Sequence, residues 1–200
     1  MFSRIHIIFF ISFWFCLILS GIHPKDTFTW WLEVLPAIIV VCILAITYRQ
    51  FQFSQSVYMF VWLHMMVLLI GGHYTYAEVP FFNWFRDTFD LERNYYDRVG
   101  HFMQGFVPAL ITREVLIKVV GIQKKGWLGL LVISVCLAFS ALYELLEFIV
   151  AKLTGTGAEA FLGTQGDVWD TQWDMLCALI GAMIALLILQ YTNFNRKKDL

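Results

Sequence analysis

Stretches of mostly apolar residues recur along the chain at roughly 5–22, 30–48, 57–72, 99–120, 127–151 and 171–191. A helix needs about 20 such residues to cross the roughly 30 Å hydrocarbon core of a bilayer, and it must satisfy its own backbone polar groups while doing so. Composition points the same way. A soluble domain is about 45–50% apolar and about 25% charged, whereas this chain is 60% hydrophobic and 14% charged, with mean hydropathy +0.69. The expected fold is all-α: a multi-pass membrane protein with about six transmembrane helices in one bundle, residues 1–200 forming a single transmembrane domain.

The six stretches differ in what they carry. Arg4 precedes Ile5–Ile22 in the manner of a signal peptide, but only Ser20-Gly-Ile-His23-Pro24 follows, without a small-x-small cleavage site. A retained first helix is therefore expected. The second stretch opens on an interfacial Trp30-Trp31 belt, and its Glu33 and Pro36 are expected in the outer turns, the glutamate still within reach of water. His64 falls mid-span in the third, where a lone histidine most often bonds one helix to another. Residues 74–98 are too polar to span. They alternate Phe81, Phe82, Trp84 and Phe85 with Arg86, Asp87, Asp90, Glu92 and Arg93, which predicts a short amphipathic helix on the membrane surface. The fourth stretch carries His101, Gln104, Arg113, Glu114 and Lys118, so one face must meet protein or a wet cavity. Cys16, Cys42, Cys136 and Cys177 lie in apolar surroundings with no Cys-x-x-Cys pair, the setting of packing residues.

The last stretch has an acidic mouth, Asp167-Val-Trp-Asp170-Thr-Gln-Trp-Asp174. If its helix has begun by Asp167, the three carboxylates share a face at i, i+3 and i+7. The same face then continues through Ala178, Gly181 and Ala185, small residues that let another helix come close. Acids at a helix N-terminus also complement its dipole, which suffices for Asp167 alone. A set carried into a membrane points to function, since each carboxylate costs roughly 2.5–3.5 kcal/mol near a helix centre.

Orientation follows from the basic residues. With six spans, Arg4, Arg49, Lys124, Lys125, Arg196, Lys197 and Lys198 fall on one side, against Lys25, Arg86, Arg93, Arg98 and Lys152 on the other. The positive-inside rule then puts both termini in the cytoplasm. His101, Glu144, Glu147, Asp170 and Asp174 come to within about 10 Å of the outer boundary at 1.5 Å of rise per residue. They are the candidate catalytic residues, with His101 and a carboxylic acid beside an ionised one as the acid/base groups. Asp97, Arg98, Gln104, Arg113 and Asp167 are candidates for substrate contact, the arginines for a phosphate. The same histidine and acids could instead hold a divalent metal ion. A third account makes them a polar network that sets helix register, at roughly 0.6 kcal/mol per hydrogen bond. With a net charge of −1, no basic patch and no nucleotide-binding glycine loop, nucleic acid is excluded as a partner, and the lipid bilayer is the expected one.

Three stretches together resemble a known family: Tyr95-Tyr-Asp97-Arg98-Val-Gly100-His101-Phe-Met-Gln104-Gly105, Ala141-Leu-Tyr143-Glu144-Leu-Leu-Glu147, and Gly163-Thr-Gln-Gly166-Asp167-Val-Trp-Asp170-Thr-Gln-Trp-Asp174. They are similar to the YjdF-like family of bacterial inner-membrane proteins. The resemblance implies a bacterial cytoplasmic membrane and a multi-pass helical fold, and it implies no activity. The Asp170-x-x-x-Asp174 opening of the last helix is also loosely similar to VanZ-like membrane proteins, which implies by analogy a role in envelope lipid or glycan chemistry. The function expected is a membrane-embedded hydrolase or transferase acting on an envelope lipid. The alternatives are a proton-coupled transporter and a non-catalytic membrane partner subunit.

Overall fold

The computed structural model describes residues 3–155 and 159–196, and among them there are helices and turns but no strand. The helices are α1 (Arg4–Ser20), α2 (Thr27–Thr47), α3 (Gln55–Tyr74), α4 (Pro80–Phe89), α5 (Tyr96–Lys118), α6 (Lys125–Thr154), α7 (Glu159–Leu162) and α8 (Asp170–Arg196). Local chemistry sets their ends. Ser3 caps α1 by accepting the His6 N–H, and Asp26 caps α2 by accepting the Thr29 N–H at 2.6 Å. The left-handed Thr75 closes α3 by donating its N–H to the Gly71 carbonyl, and Pro80 opens α4 from a position whose N–H has no helical acceptor.

Among the described residues, four helices are long and apolar enough to cross a membrane: α2, α3, α6 and the Asp170–Tyr191 part of α8. The six expected spans differ from this in two places. α1 is apolar but only 17 residues long, and α5, though 23 residues long, is interrupted by the polar residues noted above. The amphipathic helix expected within 74–98 is α4, which exposes Phe81, Trp84, Phe85 and Phe89.

The chain divides into two compact units, Met1–Gly100 with Leu145–Val168, and His101–Glu144 with Trp169–Leu200. In the first, α3 packs against both α1 and α2. Ser20 ties the three together: its hydroxyl accepts the Trp30 indole N–H at 3.1 Å, and its carbonyl meets His73 Nδ1 at 2.8 Å. Glu33 is 5% exposed, which corrects the expectation that it reaches water. Gly72 of α3 lets the two backbones approach until a Cβ there would stand 3.1 Å from Glu33 Cβ, and this closeness shuts the glutamate in. In the second unit, α5 and α8 cross through glycine. A Cβ on Gly105 would collide with the Ala178 carbonyl, and one on Gly181 with the Phe102 carbonyl. Ala178, Ala182 and Ala185 are fully buried along the same helix.

The surface completes the picture. Ile18, Ile46, Leu142, Leu145, Leu187 and many like them are exposed, while Glu33, His64, Ser140 and Asp174 are buried. In water this arrangement would forfeit apolar burial and desolvate charge together; against lipid both placements are favourable.

Candidate functional site: a histidine between two acids

α8 begins at Asp170, its first bond running from the Trp173 N–H to the Trp169 carbonyl at 3.0 Å. Asp167 therefore lies outside the helix, in a turn closed by its own N–H on the Thr164 carbonyl, and the three-acid face reduces to Asp170 and Asp174 at i, i+4. The glycine residues at Gly163 and Gly166, with φ of 60° and 88°, hold that turn in a shape a continuous helix would not permit.

Within the second unit, His101 of α5 faces acids from two other helices. Its Nδ1 lies 3.7 Å from Glu144 Oε1 on α6, and its Nε2 lies 3.6 Å from Asp174 Oδ1 on α8. All three residues are buried, at 6%, 7% and 2% exposure. The glycine crossing of α5 and α8 makes this approach possible, since Gly105 lies one turn beyond His101 and Ala178 one turn beyond Asp174. Gln104 Oε1 sits 3.0 Å from Nδ1, and the Tyr143 ring meets the imidazole edge-on at 6.3 Å between centroids. With the amide oxygen toward the ring, Nδ1 is the donor. The Nε2 lone pair then points at a carboxylate. Two acceptors facing each other in a low-dielectric interior repel unless a positive charge lies between them, and a proton or a metal ion would supply it. Asp170 is buried in the same unit at 5% exposure. Ser140, one turn before Glu144 on α6, is fully buried with no hydrogen-bond partner for its hydroxyl among the described residues.

In the first unit, Asp97, Arg98 and Asp167 form a second set with Arg93. Arg98 reaches Asp167 at 3.3 Å and Asp97 at 3.7 Å, and Arg93 reaches Asp167 at 3.5 Å and Asp97 at 3.7 Å. The Arg93 guanidinium also donates to the carbonyls of Gly163 at 2.9 Å and Thr164 at 3.3 Å. Beside it, Asn94 and Gln165 exchange two bonds: the Asn94 N–H donates to Gln165 Oε1, and Gln165 Nε2 donates to the Asn94 carbonyl, both at 2.9 Å. Asn94 also accepts the Tyr96 N–H at the start of α5 and donates to the Val79 carbonyl and to Asn83. Sequence reasoning missed Arg93, Asn94 and Gln165. The available signal was the turn chemistry of Gly163-Thr-Gln-Gly166, which demands a docking partner. Glu147 is also buried in this unit, at 8% exposure. Arg113 is half-buried on α5, and its neighbour Glu114 pairs with Lys118 at 2.5 Å.

No solved structure matches this chain. The inner membrane protein YjdF of Escherichia coli (strain K12) is 46% identical over 173 residues, covering 86% of this chain and 83% of that protein. The family described as "Predicted membrane protein (DUF2238)" matches residues 5–195, which contain the buried His101, Glu144 and Asp174 and the Arg93 network alike. An all-α fold with membrane-crossing helices, a match over nearly its whole length and so similar an inner-membrane relative mean that the chain belongs to this family of predicted membrane proteins.

Proposed function

We propose that this protein is a membrane-embedded enzyme, a hydrolase or transferase acting on an envelope lipid, with His101 and Asp174 as its acid–base pair. The observation that carries the reading is the imidazole held between Glu144 and Asp174. Gln104 and Glu144 orient the ring through Nδ1, and Nε2 exchanges a proton with Asp174 or with the reacting group of a substrate. Asp170 supplies a further buried acid at the start of α8. Arg98 and Asp167 are engaged with each other, and Asp167 with Arg93, which favours a scaffolding role for them over substrate contact. Arg113 is left as the candidate for an anionic group.

A second reading replaces the proton with a divalent metal ion bound by His101 Nε2 and Asp174. It is favoured by the contact of Nδ1 with Gln104, because a ligating histidine ordinarily has its other nitrogen fixed by an outer partner. A proton relay for coupled transport would use the same three side chains. In either case both termini are cytoplasmic and the His101 end of the bundle faces the periplasm, in keeping with the Lys and Arg distribution.

The test reconstitutes the purified protein in vesicles of phosphatidylglycerol with a small fraction of polyprenyl phosphate, and measures released phosphate and headgroup together with bound metal. Turnover that disappears in His101→Gln, with the fold intact, is expected. Absence of both turnover and metal, with proton-driven flux across the vesicle wall that His101→Gln abolishes, would replace the enzyme with the carrier.

A further inference from the structure

α6 opens at Lys125 and is long and apolar enough to cross a membrane, so its first turn stands at a membrane boundary. Residues 119–124 join it to α5, which brings the Lys118 end of α5 to the same boundary. The connection is shaped by the helix before it. The Ile122 N–H donates to the Leu116 carbonyl at 2.9 Å around Gly121, whose φ of 80° belongs to a left-handed helix stop. Val119 and Val120 are turned outward at 65% and 60% exposure, as is Trp127 on the first turn of α6 at 60%. An indole and two aliphatic side chains exposed at this level are groups that enter the boundary region of a bilayer.

Charge is one-sided at the same place. From Ile111 to Leu130 the chain carries Arg113, Lys118, Lys124 and Lys125 against one acid, Glu114, and Lys118 pairs with that acid. Arg113, Lys124 and Lys125 have no ion pair among the described residues, and the first turn of α6 contains no acid. The dipole of α6 adds to the lysines, because a helix starts with its positive end. Arg113 is the deepest of the set, five residues before the end of α5 and so about 7.5 Å from it. It shares a helix face with Ile117 and, just past the helix end, with the exposed Val120. A guanidinium keeps its charge in such a place and needs a counter-charge or a head drawn out to the interface. His101 lies twelve residues earlier on α5, about 18 Å away along the axis. One headgroup does not reach both.

We propose that the α5–α6 turn binds an anionic phospholipid of the leaflet at the far end of α5 from His101. Its headgroup faces Lys124 and Lys125, Arg113 is drawn toward the same layer of phosphates, and its chains lie beside Val120 and Trp127. The site does not depend on the chemistry at His101 or on which way the bundle faces.

A reporter of local lipid composition tests the site. Bimane is attached at Gln123→Cys, an exposed position on the turn, in a chain with the native cysteines replaced. The protein is reconstituted in vesicles of equal parts phosphatidylcholine and phosphatidylglycerol, with bromines near the headgroup end of the chains of one lipid or the other. At low salt, quenching by brominated phosphatidylglycerol should exceed quenching by brominated phosphatidylcholine severalfold, because each lysine at such a surface favours an anionic neighbour. The excess should shrink at high salt. It should disappear in Lys124→Gln/Lys125→Gln, and Arg113→Gln should reduce it. The same dye at the exposed Glu92→Cys, close in sequence to Asp87 and Asp90, should show no such preference. Equal quenching by the two lipids at position 123 would overturn the proposal, and so would an excess that survives both high salt and loss of the lysines. The lipid comparison and the salt response are read on a chain that keeps all its basic residues, so they decide the proposal even where the double variant fails to fold.

Discussion

At the scale of single residues, the buried charges separate into those whose removal should be tolerated and those whose removal should not. Asp174→Asn and Glu144→Gln keep shape and hydrogen-bonding capacity while removing a charge that the interior disfavours, so thermal unfolding in detergent should shift little or upward. Under the enzyme reading the same variants should lose about 100-fold or more of turnover, the usual contribution of a positioned acid or base. Full turnover in both would reduce the cluster to a network that sets helix register. Arg93 differs, because it binds two carbonyls and two carboxylates at once. Arg93→Ala should cost about 3–5 kcal/mol, and Arg93→Lys should recover only part, since an ammonium cannot match the planar fork; an unchanged unfolding midpoint in Arg93→Ala would remove the network from the fold's account. Tyr96 supplies a pH test. Burial pushes its phenol above the ordinary value, and the protonated hydroxyl donates to the Val67 carbonyl at 3.0 Å. The folded state thus favours the proton, so its stabilising contribution is complete below the unfolded value of about 10 and declines as the pH rises beyond it. Tyr96→Phe should flatten that alkaline decline, as read by unfolding at a series of pH values.

At the scale of the helices, the periodic features of the sequence were the legible ones. Register alone brings the His101, Glu144 and Asp174 positions to one end of their helices, and the small residues at Ala178, Gly181 and Ala185 announced a close helix crossing. The partner in that crossing was not legible, because Gly105 has no local reason to be glycine. Gly105→Ala should therefore lower the unfolding temperature sharply, by pressing a methyl group on the Ala178 carbonyl and opening the gap between His101 and Asp174. A variant as stable as the parent would mean that α5 and α8 can separate without penalty. The burial of Glu33 was illegible for a similar reason: it depends on the approach of α3 at Gly72, which no period in α2 encodes. Asp167 was drawn toward the last helix by spacing, whereas the turn at Gly163–Gly166 takes it to Arg98 instead. The contacts of Arg93 and Asn94 lie about seventy residues away along the chain in a turn without periodicity, and sequence patterns carry no register across such a gap.

At the scale of the whole molecule, hydropathy identifies a membrane protein, but it ranks the helices unevenly. α5 falls short of a spanning helix by composition while carrying His101, and a helix that holds catalytic or relay groups is the one expected to look least like lipid-facing sequence. Orientation rests on the Lys and Arg counts, so it calls for a direct measurement. α4 offers one, because α3 reaches Tyr74 and α4 starts only at Pro80, which holds α4 close to the membrane boundary where α3 emerges. Its exposed Phe81, Trp84, Phe85 and Phe89 would enter the interface on one face while Asp87 and Asp90 stay in water. A single cysteine at the exposed Glu92, in a chain with the native cysteines replaced by serine or alanine, should react with a membrane-impermeant maleimide in intact cells. The same reagent should reach a cysteine at the exposed Arg49 only after permeabilisation. Trp84 fluorescence in vesicles should be quenched by lipids brominated near the headgroup end of the chain and not by lipids brominated near its terminus. The reverse labelling pattern would put the His101 end of the bundle in the cytoplasm, and the substrate would then have to come from the inner leaflet.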